Sequence, residues 1–229
     1  MNFFERYGKF NASITELDCG LKCAPYNERG VPFCCDTNHI IPTAYQSEWE
    51  YLSANTNLWH LYQPVSDKHD AELRRQLPDG QVMIECLGHQ LCQRNFRSFV
   101  CRSFPFFPYI SRNSEFIGIT PYWEYEDRCW VISNLRAVTM DYLGQIVTAY
   151  DEIFSSFPEE FDNFRHYSII QRRVFGRKHK AIVLINRAGK YYKASPRNGR
   201  LRRIEPMTLP KYGPYKIAAE LPFPDESAD

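Results

Sequence analysis

The sequence predicts an α+β protein, and three observations support this prediction. Apolar residues repeat at helical spacing over residues 136–156. Short runs of β-branched and aromatic residues, bounded by Gly and Pro, predict strands. A stretch rich in Cys, Gly and Pro over residues 19–36 predicts loop. We therefore expect irregular, cysteine-rich metal-binding loops that pack on helices, with a β-hairpin in the C-terminal part.

The first predicted helix covers residues 44–54. Thr43 is a suitable N-cap, and Gln46 stands three residues later, as in a capping box. A second, short helix is predicted over residues 67–77. The turn residues Pro78-Asp79-Gly80 follow it and end it.

Two strands are predicted in the middle of the chain, over residues 81–86 and 115–120. Pro105 and Pro108 lie between them and argue against a helix there, because proline lacks a backbone N–H and clashes with the preceding turn.

Two consecutive helices are predicted over residues 136–156 and 159–175, the second acidic at its start and basic at its end, as the helix dipole favours. Residues 180–187 and 190–194 predict a hairpin with a short turn between them. The proline-rich tail is expected to be extended on the surface. We divide the chain into a cysteine-cluster region, residues 1–133, and residues 134–229, within one continuous domain.

The cysteines are the most informative residues. All eight lie in the first 129 residues: Cys19, Cys23, Cys34, Cys35, Cys86, Cys92, Cys101 and Cys129. Free cysteines are often simply buried, but this reading suits only one or two of them. Disulfides fit the even number but need an oxidising compartment, to which nothing in the sequence points. Metal or cluster ligation remains the favoured reading.

Thiolate chemistry allows two kinds of centre. Four cysteines satisfy the tetrahedral coordination of zinc, and four also hold a [4Fe–4S] cluster. His39 and His89 are substitute ligands, and Arg102 is a candidate to balance negative charge. The adjacent Cys34 and Cys35 point to opposite sides of an extended chain. Either the chain bends there, or the two cysteines serve different centres.

A resemblance to a known family supports the metal reading. A cysteine cluster ending in Cys34-Cys35, the stretch Thr43 to Glu48, a later pair Cys86 and Cys92, and the phrase Cys101-Arg-Ser-Phe-Pro105 are similar to the YkgJ-type cysteine-cluster family. The family is described as a zinc- or iron-chelating domain. Here the first cluster has wider spacings, with residues 24–33 inserted, and Arg97-Ser98 replaces the family's Arg-Pro.

The resemblance also implies an alternative activity. Flagellin lysine N-methylases carry a related cluster, which implies protein-lysine methylation with S-adenosylmethionine. The sequence offers no dinucleotide, phosphate-loop or hydrolase motif. Glu124, Glu126 and Asp127 are candidate catalytic carboxylates, although a solvated acidic face is the simpler interpretation. The catalytic residues, if any, are unknown from the sequence.

The charge of +1 hides a strong asymmetry. Residues 1–164 contain 13 Lys and Arg against 22 Asp and Glu, whereas residues 165–204 contain 13 Lys and Arg and no acidic residue. This segment predicts a surface for an acidic protein or for nucleic acid, with Tyr191 and Tyr192 available for base stacking. Neutralisation of the acidic remainder is the alternative. The candidate contacts are Arg172, Arg173, Arg177, Lys178, Lys180, Arg200, Arg202 and Arg203.

The sequence predicts neither a membrane span nor a leader peptide. No run of about 18 apolar residues occurs, and no apolar stretch of signal-peptide length follows the charged N-terminus. We therefore expect a cytoplasmic protein without a membrane partner.

Overall fold

The computed structural model describes residues 9–64, 66, 71–72, 75 and 77–218, and it confirms the α+β class. The helices are α1 (Cys19–Cys23), α2 (Gln46–Asn55), α3 (Phe99–Ser103), α4 (Trp130–Ser133), α5 (Met140–Ser156), α6 (Pro158–Arg177) and α7 (Tyr215–Ala218). The strands are β1 (Thr43–Tyr45), β2 (Trp59–Leu61), β3 (Gln81–Cys86), β4 (Phe106–Ile110), β5 (Phe116–Pro121), β6 (Ile182–Asn186), β7 (Tyr191–Ala194) and β8 (Leu201–Arg203).

A three-stranded antiparallel sheet has the order β1–β3–β2. The predicted N-cap Thr43 is wrong, because Thr43 belongs to β1 and lies opposite Met83. The helix begins at Gln46, where the buried Glu48 carboxylate accepts from the backbone N–H of Tyr45 at 3.4 Å and of Phe99 at 2.6 Å. Glu48 therefore caps its own helix and holds α3 against it.

A five-stranded antiparallel sheet has the order β4–β5–β6–β7–β8. Residues 180–194, predicted as a terminal hairpin, supply its inner strands β6 and β7, and Gly189 takes a positive φ of 75° in the turn between them. β5 and β8 flank this pair. Pro105 and Pro108 do exclude a helix, since residues 106–110 form the edge strand β4.

Two helices cover the two faces of this sheet. Val183 and Ile185 belong to the main core with α5, whereas Ile182 and Leu184 belong to a second cluster with Phe175 of α6. The alternation follows from the two-residue period of a strand, which sends successive side chains to opposite faces. Strand β6 is therefore buried on both sides.

The helices α5 and α6 lie where the sequence predicts two consecutive helices, with shifted ends. Helix α5 begins four residues later than predicted, because Thr139 is its N-cap and accepts from the N–H of Tyr142 at 3.2 Å. Helix α6 continues to Arg177, past Gly176. The helix predicted over residues 67–77 falls mostly outside the described residues.

The core crosses the proposed division at residue 133. Strand β5 pairs with β6, and Phe10, Phe99 and Phe106 pack in one cluster with Tyr142 and Tyr150 of α5. The two regions of the sequence therefore share one hydrophobic core.

The tail is not simply extended, because it forms α7. Tyr215 of that helix is buried, and its hydroxyl donates to the carbonyl of Arg128 at 2.6 Å. It packs in a small cluster with Cys23 and Phe33. This part of the tail therefore covers the first cysteines.

Candidate metal centre

Cys19 and Cys23 lie on a short helix rather than in the loop that the sequence predicts. The side chain of Asp18 caps α1 and accepts from the N–H of Gly20 at 2.9 Å. A spacing of four residues places the two thiols on the same side of the helix, one turn apart. Cys23 is buried and Cys19 is half-buried.

The doublet Cys34-Cys35 lies in a single 3-10 turn, Phe33–Cys35. The chain therefore bends at the doublet, and this geometry is compatible with one shared centre and with two. Asp36 fixes the end of the turn, because its carboxylate accepts from Arg29 at 2.8 Å and from Asn27 at 3.0 Å. The inserted residues 24–33 are closed into a loop by these bonds.

The later cysteines come from three neighbouring elements. Cys86 ends β3, Cys92 follows the 3-10 turn His89–Leu91, and Cys101 lies in α3. Ser98 is the N-cap of α3 and accepts from the N–H of Cys101 at 3.3 Å. Cys86 and Cys101 pack against the same apolar cluster, around Leu52 and Ile84.

The last cysteine, Cys129, adjoins a helix that contacts the helix of the first two cysteines. It is buried at the N-cap of α4, and α4 contacts α1. Cys129 and Cys19 both belong to the main core, whereas Cys86 and Cys101 belong to the other cluster. The packing thus separates Cys19 and Cys129 from Cys86 and Cys101.

Electrostatic interactions between the thiols follow these groups in part, with Cys35 acting on members of both. Burial raises the pKa of Cys23 to about 11, and the charges of Cys19 and Cys35 add to this effect. Burial also raises the pKa of Cys129, with further contributions from Cys19 and Cys23. The pKa of Cys34 is raised mainly by its side-chain hydrogen bond with Cys35 and by burial, and the charges of Cys129 and Cys19 also raise it.

The second group surrounds Cys35. Burial raises the pKa of Cys101 to about 12, and the charges of Cys35 and Cys86 raise it further. Burial raises the pKa of Cys86 too, together with the charges of Cys35 and Cys92. We name the two groups by their members: the first thiol set is Cys19, Cys23, Cys34 and Cys129, and the second thiol set is Cys35, Cys86, Cys92 and Cys101.

Cys35 differs from the other shifted thiols, because its pKa is lowered. The hydrogen bond with Cys34 is the main cause, and the charge of Arg97 contributes, while burial opposes both. Cys35 is therefore the thiol of this group that most readily becomes a thiolate, the form that binds metals and reacts as a nucleophile.

Arg97 is the cation of the site. Its Nε donates to the Sγ of Cys92 at 3.1 Å. Burial lowers the pKa of Arg97, but the hydrogen bond to Cys92 and the charges of Cys92, Cys101 and Cys35 outweigh burial and raise it. Within the described residues Arg97 forms no ion pair with a carboxylate, so its charge is directed at thiols.

Arg102, which the sequence suggested as a charge partner of the thiols, is bound to the backbone around the site. This buried side chain donates to backbone carbonyls, with Nε to Arg97 at 2.8 Å, Nη2 to Asn95 at 2.7 Å and Nη1 to Phe10. Arg102 therefore ties together the segments around the site. The sequence pointed to Arg97 only indirectly, as a departure from the family pattern.

The sulfurs do not form a ready-made coordination site. Among the described residues, no three His, Cys, Asp or Glu side chains are placed to hold a metal ion. All eight cysteines are free thiols. His39 lies against Phe33, with ring centroids 5.1 Å apart, and its Nδ1 is 3.4 Å from Arg128. His89 begins the 3-10 turn that precedes Cys92.

The candidate carboxylates near Cys129 have structural partners. Glu124 accepts from the hydroxyl of Tyr167 at 2.9 Å, and burial raises its pKa. Burial likewise raises the pKa of Glu126, while the charges of Lys180 and Lys178 oppose the rise. Asp127 lies 4.0 Å from Arg128. These contacts match a partly neutralised acidic face.

Arg172 is wrong as a partner-binding residue. Only 8% of its surface is exposed, its Nη1 donates to the carbonyl of Ile110 at 2.8 Å, and its guanidinium lies over the ring of Tyr109. It joins α6 to β4. The other candidates are exposed: Arg173, Arg177, Lys178, Lys180, Arg200, Arg202 and Arg203.

The two tyrosines predicted to stack on bases are packed in the protein. The hydroxyl of Tyr191 donates to the carbonyl of Leu135 at 3.0 Å, and Tyr192 packs against the cluster that contains Phe175. Their rings therefore serve the core on both faces of β7.

Comparisons with known family models, curated proteins and solved structures find no match to this chain. The similarity to the YkgJ-type family stays a prediction. In the part of the chain that the structure describes, no helix is long and apolar enough to cross a membrane.

Proposed function

We propose that this protein binds metal through its cysteine thiolates, as zinc or as an iron–sulfur cluster, in two centres that share the Cys34-Cys35 doublet. The first thiol set would hold one centre and the second thiol set the other. The observation that carries the proposal is that Cys19 and Cys129 pack with one apolar cluster and Cys86 and Cys101 with another, while the Cys34-Cys35 doublet interacts electrostatically with both pairs.

The donor chemistry fits both kinds of centre. Zinc in structural sites takes four ligands, and iron–sulfur clusters take four thiolates. Four thiolates on one zinc carry a net charge of −2, which a nearby cation offsets. Arg97 supplies such a cation to the second thiol set through its bond to Cys92.

Simple core packing explains this arrangement poorly. A cysteine that acts only as a small apolar residue does not compensate the charge of a guanidinium beside it. Burying such a charge without a partner is costly. Arg97 is half-buried, and its charge interacts with Cys92, Cys101 and Cys35 of the second thiol set and with Cys19 of the first. Thiolates, or thiolates bound to a metal, account for its position.

Binding must draw the sulfurs closer than they lie in the described arrangement. The elements that carry Cys19, Cys23 and the doublet are short, a five-residue helix and a one-turn 3-10 segment, so we expect the rearrangement to take place in these elements. When bound, the metal would supply cross-links between segments that are far apart in the sequence.

The experiment is purification of the full chain without oxygen, followed by analysis of zinc, iron and acid-labile sulfide. We expect either zinc without sulfide or equal amounts of iron and sulfide, in each case with thiols protected from a thiol reagent until the metal is removed. A folded, metal-free sample in which all eight thiols react freely would refute the proposal.

The exposed cations favour a second function, the binding of an acidic protein partner. All three residues of the edge strand β8 are exposed, and Arg202 and Arg203 form no ion pair within the described residues. An acidic protein is favoured over nucleic acid because Tyr191 and Tyr192 are partly buried against the core, which leaves their rings less available for stacking on bases.

Charge reversal tests this second function. The variant with Arg202→Glu and Arg203→Glu should lose salt-dependent binding to a polyglutamate peptide, while Arg187→Glu, whose arginine already pairs with Asp151 at 2.7 Å, is the control. Tighter binding of the wild-type chain to single-stranded DNA than to the peptide would favour nucleic acid instead.

A further inference from the structure

A small pocket opens beside the second thiol set. Residues 11–14 form one wall, and Arg94, Arg97, Arg102 and Cys101 form the other. Its cavity volume is about 30 Å³, room for about two water molecules, so only a small group such as a single oxyanion enters it.

The charge of the pocket is its distinctive feature. Three of the residues that line it are arginines, and none is acidic. Asn11 and Ser13 add neutral polar groups. Like charges that converge on one opening repel each other, so the arrangement is more favourable with an anion between them.

The three arginines are engaged to different degrees. The guanidinium of Arg102 donates hydrogen bonds to the carbonyls of Phe10, Asn95 and Arg97. Arg97 uses Nε for Cys92, and its two Nη groups donate to no residue that the structure describes. Arg94 is exposed, and its side chain makes no hydrogen bond or ion pair with any described residue. Donors from Arg94 and Arg97 are therefore available to a ligand.

Further donors come from the opposite wall. The backbone N–H groups of Ser13 and Ile14 donate to no other group in the described part of the chain, whereas those of Asn11 and Ala12 both donate to Gln145. Residues 11–14 are held in place by these bonds and by Thr139, whose hydroxyl donates to the carbonyl of Ser13 at 2.8 Å. The wall that faces the arginines is thus fixed.

We propose that this pocket binds the oxyanion head, a carboxylate or a phosphate, of a small organic molecule. A guanidinium donates two parallel N–H groups and matches the geometry of these oxyanions. The head would lie between Arg94 and Arg97, with Cys101 in the same wall, so the bound molecule sits next to the second thiol set.

This inference goes beyond metal binding and does not depend on it, because its donors are guanidinium and backbone N–H groups rather than thiols. Arg97 belongs to both sites, since it bonds to Cys92 and lines the pocket. A molecule bound in the pocket would therefore affect the thiols through the side chain of Arg97.

The test is calorimetric titration of the full chain with sodium acetate and, separately, with inorganic phosphate, at constant ionic strength and with metal content measured on the same sample. We expect saturable binding of at least one probe. Acetate alone would identify a carboxylate head, and phosphate alone a phosphate head.

The variant Arg94→Gln should weaken that binding about tenfold, because charge-assisted hydrogen bonds are lost, and should leave the metal content unchanged. The control Arg173→Gln removes the same charge from an exposed arginine outside the pocket and should bind as the wild type does. Absence of saturable binding for both probes, or equal weakening in the two variants, would overturn the proposal. Metal analysis of the same samples reports separately on the metal proposal.

Discussion

The cysteine segments and the five-stranded sheet are built on different principles. Helices α5 and α6 beside the sheet have 17 and 20 residues, whereas α1 and α3, which carry three of the cysteines, have five each. The sheet and its helices bury an apolar cluster on each face. Over residues 19–36, by contrast, Cys23 and Phe33 are the buried hydrophobic residues.

The difference teaches what each part needs in order to stay folded. Isolated helices shorter than about 12–15 residues are marginal in water, so α1 and α3 depend on their surroundings. Apolar burial supplies those surroundings in the sheet. The cysteine segments have thiols in common instead. We propose that metal bound by the two thiol sets supplies the stabilisation that apolar burial supplies in the sheet.

Metal removal should therefore have the largest effect, and it should be local. A structural zinc site contributes on the order of 10–16 kcal/mol to folding. After chelation we expect amide hydrogen exchange to accelerate strongly over residues 19–36 and 86–101, while strands β4–β8 keep their protection. Loss of protection in all of these segments, or in none, would contradict the difference between the cysteine segments and the sheet.

A cavity created in the sheet should have the next largest effect on stability. That effect should not depend on bound metal. Leu184 is fully buried in β6, so Leu184→Ala should lower the free energy of unfolding by about 2–5 kcal/mol in denaturant titrations. Leu201→Ala is the matched control in β8, where the side chain is 40% exposed, and should change it by less than about 0.5 kcal/mol. Similar losses would show that β8 is better covered than described.

Two adjacent arginines sharpen the distinction between structural and surface cations. Arg172→Gln should cost about 1–3 kcal/mol of unfolding free energy, because it leaves the carbonyl of Ile110 without its buried donor. Arg173→Gln removes an exposed charge and should cost about 0.5 kcal/mol or less. Equal effects of the two substitutions would contradict the placement of Arg172.

The cap of α5 should give the smallest effect of this series. Thr139→Ala removes the oxygen that accepts from Tyr142 and the hydroxyl that donates to Ser13, and should cost about 1 kcal/mol. Thr148→Ala lies on the exposed side of the same helix and should be close to neutral or slightly stabilising, since threonine is a poorer helix former than alanine. Thermal unfolding of both variants checks the prediction.

The sequence predicted the regular elements better than the segments around the site. Strand β3 covers residues 81–86 as predicted, and α5 and α6 follow from apolar periodicity and from Pro158. Thr43 was misplaced because a capping pattern cannot reveal that a residue pairs across strands, as Thr43 does with Met83. Pairing partners far apart in the sequence leave no local pattern.

The site was predicted in its residue types and not in its arrangement. Cysteine spacing indicated thiolate chemistry, but the division into two thiol sets depends on the contact of α4 with α1, which brings Cys129 back to Cys19. Arg172 and Arg173 are neighbours in the sequence, and only the face of α6 decides which of them is buried. Arg97 likewise gains its role from the position of Cys92.

The most direct test of the two-centre proposal is the metal content of three proteins purified without oxygen: the wild type, Cys129→Ser from the first thiol set and Cys101→Ser from the second, each confirmed as folded by circular dichroism. The account predicts that the wild type holds two centres and that each variant keeps one. A metal-free wild type, or variants that each lose all metal or none, would contradict it.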